Sequence, residues 1–84
     1  MVTILYFARL RETLGIAAEE IALPEGVESL GALRAWLVRR GDAWARALDE
    51  TTNVRTAVNQ DMVSNDVPIG DGDEIAFFPP VTGG

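Results

Sequence analysis

The chain has 84 residues, 48% apolar and 24% charged, with a formal net charge of −6; against the ~100–200 residues of a typical domain this is one small folded unit, which excludes a multidomain enzyme and a disordered segment alike. Cys, His and Lys are all missing and the seven cations are arginines, which excludes a disulfide framework, thiolate or imidazole catalysis, typical zinc clusters and Schiff-base chemistry. The first 48 residues balance six acids against six arginines, whereas residues 49–84 set seven acids against Arg55 alone, a field that repels nucleic acid and anionic lipid and suits a basic protein partner.

Val2 to Phe7 (VTILYF) is β-branched and aromatic, a strand with apolar residues of both parities: Val2, Ile4 and Tyr6 on one, Leu5 and Phe7 on the other. Such a strand is central, or its second face is covered from outside the fold. Ala8 to Leu14 reads as a short helical turn ended by Gly15, and Ala18 to Leu23 as a second strand stopped by Pro24-Glu25-Gly26, so the first two strands make a hairpin.

Ser29 to Arg40 is the main helix. Ser29 is its cap, Glu28 lies by its positive end, Arg39 and Arg40 occupy the last turn and Gly41 follows it. Leu30, Leu33, Trp36 and Leu37 fall within an arc of ~120° and form the stripe that packs on a sheet. Asp42 is placed to cap a second short helix through Ala43 to Leu48, with Trp44 and Leu48 turned inward, and both tryptophans read as core.

Val54 to Val58 alternates as a strand, with Met62-Val63 returning after a turn at Asn59-Gln60-Asp61. Asp71-Gly72 turns the chain into a last strand, Asp73 to Phe78. This order gives an α+β fold, a mixed sheet crossed by one main helix, of the β-grasp kind. Residues 1–78 form the domain and residues 79–84 an extended C-terminal tail.

The tail, Pro79-Pro80-Val81-Thr82-Gly83-Gly84, carries the chemistry. Two prolines cannot continue a hydrogen-bonded strand, and the chain leaves the sheet in a stiff, extended form that reaches ~20 Å. Gly83-Gly84 then presents a carboxylate with no side chain behind it, able to thread a channel too narrow for a Cβ. That carboxylate is ionised at neutral pH and is a poor acyl electrophile until activated. Its attack on the α-phosphate of ATP gives a mixed anhydride from which sulfur or nitrogen can take the acyl group. With no Gly-rich phosphate loop and no Lys, the chain cannot bind the nucleotide itself, so another protein uses ATP and Mg, and no cofactor is expected on this chain.

Phe77 and Phe78 point to opposite faces of their strand; Ile75 and Phe77 are assigned to the core, leaving Phe78 outward beside Pro79 with Phe7 and Met62. Together these form an apolar patch next to the tail, of the kind that marks an interface. The Asp71-Gly72-Asp73-Glu74 run lacks the ligand spacing of a calcium loop and reads as a solvated turn, so no metal is expected. Arg9 and Arg11 follow the first strand and have two readings, holding an anion or, the favoured one, pairing at the surface with Glu12. The opening residues lack the features of a signal peptide and no apolar run is long enough to cross a membrane, which makes cytoplasm the default expectation.

The segments Tyr6-Phe7-Ala8-Arg9-Leu10-Arg11-Glu12, Ala57-Val58-Asn59-Gln60, Val63-Ser64 and Asp71 to Gly84, ending in Phe-Phe-Pro-Pro-Val-Thr-Gly-Gly, resemble the small subunit of molybdopterin synthase over essentially the whole chain. The resemblance implies a ubiquitin-like β-grasp sulfur carrier. Its terminal glycine is adenylated by an enzyme similar to ubiquitin E1 and converted to a thiocarboxylate. Its tail enters the large catalytic subunit, in a heterotetramer, and sulfur passes to cyclic pyranopterin monophosphate in molybdenum cofactor biosynthesis. Carried onto this chain, Gly84 bears the sulfur, Gly83, Thr82 and Val81 thread the channel, and Phe7, Arg11, Met62, Phe78 and Pro79 contact the partner. The chain alone is then a sulfur-donating subunit without activity of its own. A thiamine-pathway or other ubiquitin-like sulfur carrier, a protein-conjugating modifier and a plain binding module are the alternatives.

Overall fold

The computed structural model describes residues 1–49 and 52–80. In chain order it has β1 (Val2–Tyr6), α1 (Arg9–Leu14), β2 (Ala18–Ile21), α2 (Leu30–Val38), α3 (Asp42–Leu48), β3 (Arg55–Val58), β4 (Asp61–Met62) and β5 (Glu74–Phe78). The strands form one mixed sheet in the order β2-β1-β5-β3-β4. β1 pairs antiparallel with β2 and parallel with β5, which places the beginning and the end of the domain side by side at its centre. The fold is a ubiquitin-like β-grasp of the α+β class.

Strand parity explains the layering. Val2, Ile4 and Tyr6 of β1, Ile75 and Phe77 of β5 and Val58 of β3 point to one side, where they meet Leu30, Leu33 and Leu37 of α2, Leu48 of α3 and Leu10 of α1. Each large side chain buried there contributes ~1.5–3 kcal/mol relative to exposure, several times the value of a surface ion pair, so this layer sets the stability. Tyr6 and Phe77 stack at 6.0 Å between ring centroids, and Trp44 meets Tyr6 edge-on at 5.6 Å.

The caps follow the local chemistry in part. Ser29 sits in extended backbone and its Oγ accepts from the Ala32 N–H at 3.2 Å, as its position before the stripe leads one to expect. Asp42, by contrast, is the first residue of α3 and caps nothing: Gly41 holds the cap position, and no side chain accepts from the first turn. The Asp42 carboxylate still lies at the positive end of that helix, a weaker contribution than a cap hydrogen bond. Helix α2 ends at Val38 with Arg39 as its cap, two residues short of Arg40.

The tryptophans also differ from expectation. Both are half-buried, because the guanidinium of Arg40 covers them, 4.9 Å from the Trp36 ring centre and 4.6 Å from that of Trp44. Arg40 is held there by Glu19 of β2, with Nη1 and Nη2 donating to the two carboxylate oxygens at 2.8 and 3.0 Å. Hairpin β3–β4 turns through Asn59 and Gln60, both at positive φ (51° and 73°), the pattern whose twist matches flanking strands. Asn59 then ties the hairpin to the start of β5: its side chain accepts from the Glu74 N–H and donates to Asp73, both at 3.0 Å.

Candidate functional site

The side of the sheet facing away from the helices is built by the opposite parity. The register places Leu5 opposite Ala76, Ala76 opposite Ala57 and Ala57 opposite Met62, one apolar row across four strands. Ala57 is buried yet lies outside the helix-side core, so the row has a shallow floor of two alanines. One step toward the end of β5, Phe78 lies opposite Arg55, and Phe7 continues β1 beside it, its N–H donating to the Phe77 carbonyl at 3.1 Å. Phe7 is 47% exposed and Met62 57%, while Phe78 is half-buried between its neighbours. The expected patch is therefore present and open, and Met62 closes its far side across Ala57 instead of touching Phe78.

Charge is divided along this face. Glu20 and Glu74 flank Thr3 at the end remote from the chain's exit, whereas Arg55 stands beside Phe78 at the exit end. The acidic side chains on this face thus stand at its remote half. Asp73, in the turn before β5, accepts from the Asn59 side chain and from the Gly70 N–H at 2.8 Å, and these bonds, the first the stronger influence, hold its carboxyl below the usual range. Its lone pairs are engaged by the turn, and among the described residues no group of three or more acidic, Cys or His side chains is arranged to hold a metal.

β5 ends at Phe78 because Pro79 and Pro80 have no N–H to give to the ladder, and both prolines leave the sheet half-buried. They border a groove of about 650 Å³ whose other walls come from α1, α3 and residues 52–54. Arg11 is exposed on α1, and neither it nor Arg9 makes the expected pair with Glu12; among the described residues neither forms any ion pair. Arg11 is the immediate neighbour of Glu12 and points away from it, and for Arg9, three positions off on an exposed helix of six residues, a surface pair gains too little to repay its ordering. Val81, Thr82, Gly83 and Gly84 lie outside the described residues.

One structurally important side chain escaped the sequence reading. Arg34, on the apolar side of α2, is only 7% exposed; its Nε donates to the Leu48 carbonyl at 2.6 Å and its Nη2 to the Asp49 carbonyl and Thr52 Oγ1 at 2.9 and 3.1 Å. It thereby satisfies the carbonyl end of α3 and fixes where the chain sets out toward β3.

Comparison with known proteins places this geometry. The profile described as the ThiS family matches residues 4–84. Over 84 residues, covering all of both chains, the sequence is 46% identical to the molybdopterin synthase sulfur carrier subunit of Escherichia coli (strain K12). Among solved structures it is similar to SAMP1 from Haloferax volcanii, with a TM-score of 0.77, 25% identity and coverage of 99% of this chain and 98% of that one. It is also similar to a chain in the protein–protein complex of subunits 1 and 2 of molybdopterin-converting factor from Helicobacter pylori 26695, with a TM-score of 0.68, 26% identity and coverage of 99% and 97%.

Proposed function

The chain belongs to the ThiS family, and from that premise we propose that it is the sulfur-carrier subunit of a molybdopterin synthase, working with a large catalytic subunit. The observation that carries this reading is the placement of the exit: β5 delivers Pro79 and Pro80 beside Phe7 and Phe78, at the border of an open apolar face. A partner seated on that face receives whatever follows Pro80. The terminal Gly83-Gly84 can pass where a Cβ cannot.

In this reading the Gly84 carboxylate attacks the α-phosphate of ATP on an activating enzyme, forming the acyl-adenylate and releasing pyrophosphate. Hydrosulfide from the sulfur source then adds to the acyl carbon and expels AMP, which leaves the thiocarboxylate. The folded domain takes no part in bond making; it holds the tail at a fixed root while Phe7, Met62, Phe78, Pro79 and Arg11 meet the large subunit. ATP and Mg are substrates of the activating enzyme, and the assembly is a heterotetramer of two small and two large subunits. Cytoplasm is the compartment proposed; no helix among the described residues is long and apolar enough to cross a membrane.

The test is the intact mass of the chain after incubation with Mg-ATP, the activating enzyme and a sulfur source. A gain equal to one oxygen replaced by sulfur, absent when Gly84 is deleted, is the expected result. No gain, under conditions where the enzyme loads a known carrier, overturns the reading.

A further inference from the structure

Five of the seven arginines, Arg9, Arg11, Arg39, Arg46 and Arg55, form no ion pair among the described residues. In a chain of net charge −6 this is unexpected, because acids outnumber them and pairing is readily available. Three of the five stand around the point where the chain leaves the sheet. Arg9 and Arg46 stand with Thr13 and Asn53 along the groove that Pro79 and Pro80 border, and Arg55 lies opposite Phe78 on the other side of the exit. The root of the tail therefore emerges between guanidinium groups that have no ion-pair partner among the described residues, while Glu20 and Glu74 stand at the remote end of the sheet face.

We infer that the groove beside Pro79-Pro80 receives carboxylate side chains of the large subunit at the mouth of its tail channel, gripped by Arg9 and Arg46. The inference rests on the sulfur-carrier reading. Only four residues separate Pro80 from the end of Gly84, at most ~13–14 Å of chain. A channel that brings Gly84 to a buried reaction centre has its mouth against Pro80, so the surface around the prolines faces the partner. A stable two-subunit complex engages roughly 20–30 residues on each side. The apolar row with Phe7 and Phe78 is too small to supply that footprint, and the groove is its continuation across the tail root. The groove is therefore assigned to the large subunit, whose complex with the carrier requires that footprint. Guanidinium groups select carboxylates there through bidentate hydrogen bonds, and carboxylates so placed at the mouth repel carriers with an acidic tail root.

The experiment measures the dissociation constant of the complex between the full-length chain and the large subunit for wild type and for the pair Arg9→Glu with Arg46→Glu, at 50 and 500 mM NaCl. The expected result is at least tenfold weaker binding at the lower salt, a several-fold smaller difference at the higher, and a wild-type circular dichroism spectrum. Should the double reversal fail to fold, the pair Arg9→Gln with Arg46→Gln is measured in its place, with a smaller loss and the same salt trend expected. Unchanged affinity overturns the inference, as does a loss that is equal at both salt concentrations. A defect confined to loading by the activating enzyme also overturns it, because it assigns the groove to that protein. Failure of wild type to bind the large subunit at all would instead count against the sulfur-carrier reading itself.

Discussion

The Tyr6 hydroxyl donates to Glu19 Oε2 at 2.8 Å, and the same oxygen accepts from Arg40 Nη1 at 2.8 Å. A residue of the central strand, one of the edge strand and one just past α2 are thus joined at a single carboxylate, on the flank of the Trp36–Trp44 pair. Tyr6→Phe keeps the ring stacked on Phe77 and removes only this bond. The expected loss is about 1.5–3 kcal/mol, as for a hydrogen bond to a charged group, measured by urea unfolding. A loss below 0.5 kcal/mol would mean that water or Arg40 alone satisfies Glu19 equally well.

The same cluster gives the protein a pH dependence at both extremes. Burial pushes the Glu19 carboxyl up, but hydrogen bonds from Arg40 and Tyr6 outweigh it and hold the group below its ordinary value. A carboxyl with a depressed folded-state pKa binds protons more readily when unfolded, so its contribution is present above about pH 4.5 and is lost as pH falls through the folded value. Tyr6 is displaced the other way, upward, chiefly by burial and then by the Glu19 hydrogen bond. Unfolded tyrosine ionises near pH ~10 while the folded one does not, so stability falls as pH rises beyond that point. Melting temperatures across the pH range should drop on both sides, and Tyr6→Phe should remove much of the alkaline drop. An unchanged alkaline limb in that variant would assign it to another group.

Phe77 and Phe78 are neighbours in sequence with opposite roles, and substitution separates them. Phe77 is fully buried against Tyr6, so Phe77→Ala should cost about 3–5 kcal/mol, a loss that brings a domain of this size close to unfolding. Phe78→Arg alters the outer face opposite Arg55 and should leave the fold intact while weakening the large-subunit complex tenfold or more. The readouts are circular dichroism melting and calorimetric binding. A Phe78→Arg chain that melts like Phe77→Ala would place Phe78 in the core.

Why one phenylalanine was separable from the other is also why much of the fold was legible. Period-two alternation in β1 and β5 assigns Val2, Ile4, Tyr6, Ile75 and Phe77 to one side, and the helical spacing of Leu30, Leu33 and Leu37 supplies the opposing surface. What the sequence could not disclose are contacts whose partner is set by tertiary placement. Arg40 looks like a last-turn cation, yet its position is determined by Glu19, 21 residues away. Arg34 interrupts an apolar face because carbonyls at the end of another helix need donors, and carbonyl groups carry no sequence signature. The groove at the tail root is likewise assembled from three separate segments, and no spacing along the chain reveals it.

Gly31 is a second such position. In the first turn of α2 its N–H donates to the Asn65 carbonyl at 2.7 Å, and a Cβ there would lie 3.0 Å from that same backbone oxygen. Alanine is the better helix former by ~1 kcal/mol, so propensity alone favours the substitution. The close approach opposes it: the 64–67 segment would have to retreat, which lengthens a short hydrogen bond. Gly31→Ala should therefore destabilise by about 1–3 kcal/mol, the range for overpacking. A stabilised variant in thermal melts would show that the loop yields without loss.

Arg34 allows the sharpest separation of charge from hydrogen bonding. Acceptors that converge on its guanidinium include two backbone carbonyls near the end of α3 and the Thr52 hydroxyl. Arg34→Leu fills part of the space but leaves those oxygens without this donor in a poorly hydrated place, and each buried polar group so orphaned costs about 1–3 kcal/mol. Arg34→Lys keeps the charge, yet a single ammonium lacks the planar fork that reaches Leu48 and Asp49 together. The expected order of stability is wild type, then Lys, then Leu, with the total loss in the Leu variant about 2–5 kcal/mol. Amide hydrogen exchange provides the independent readout: protection should fall first at Leu48 and Asp49, while β1 and β5 keep theirs until global unfolding. If Arg34→Lys matched wild type in both measurements, positive charge near the end of α3 would suffice, and the fork geometry would carry no stability of its own.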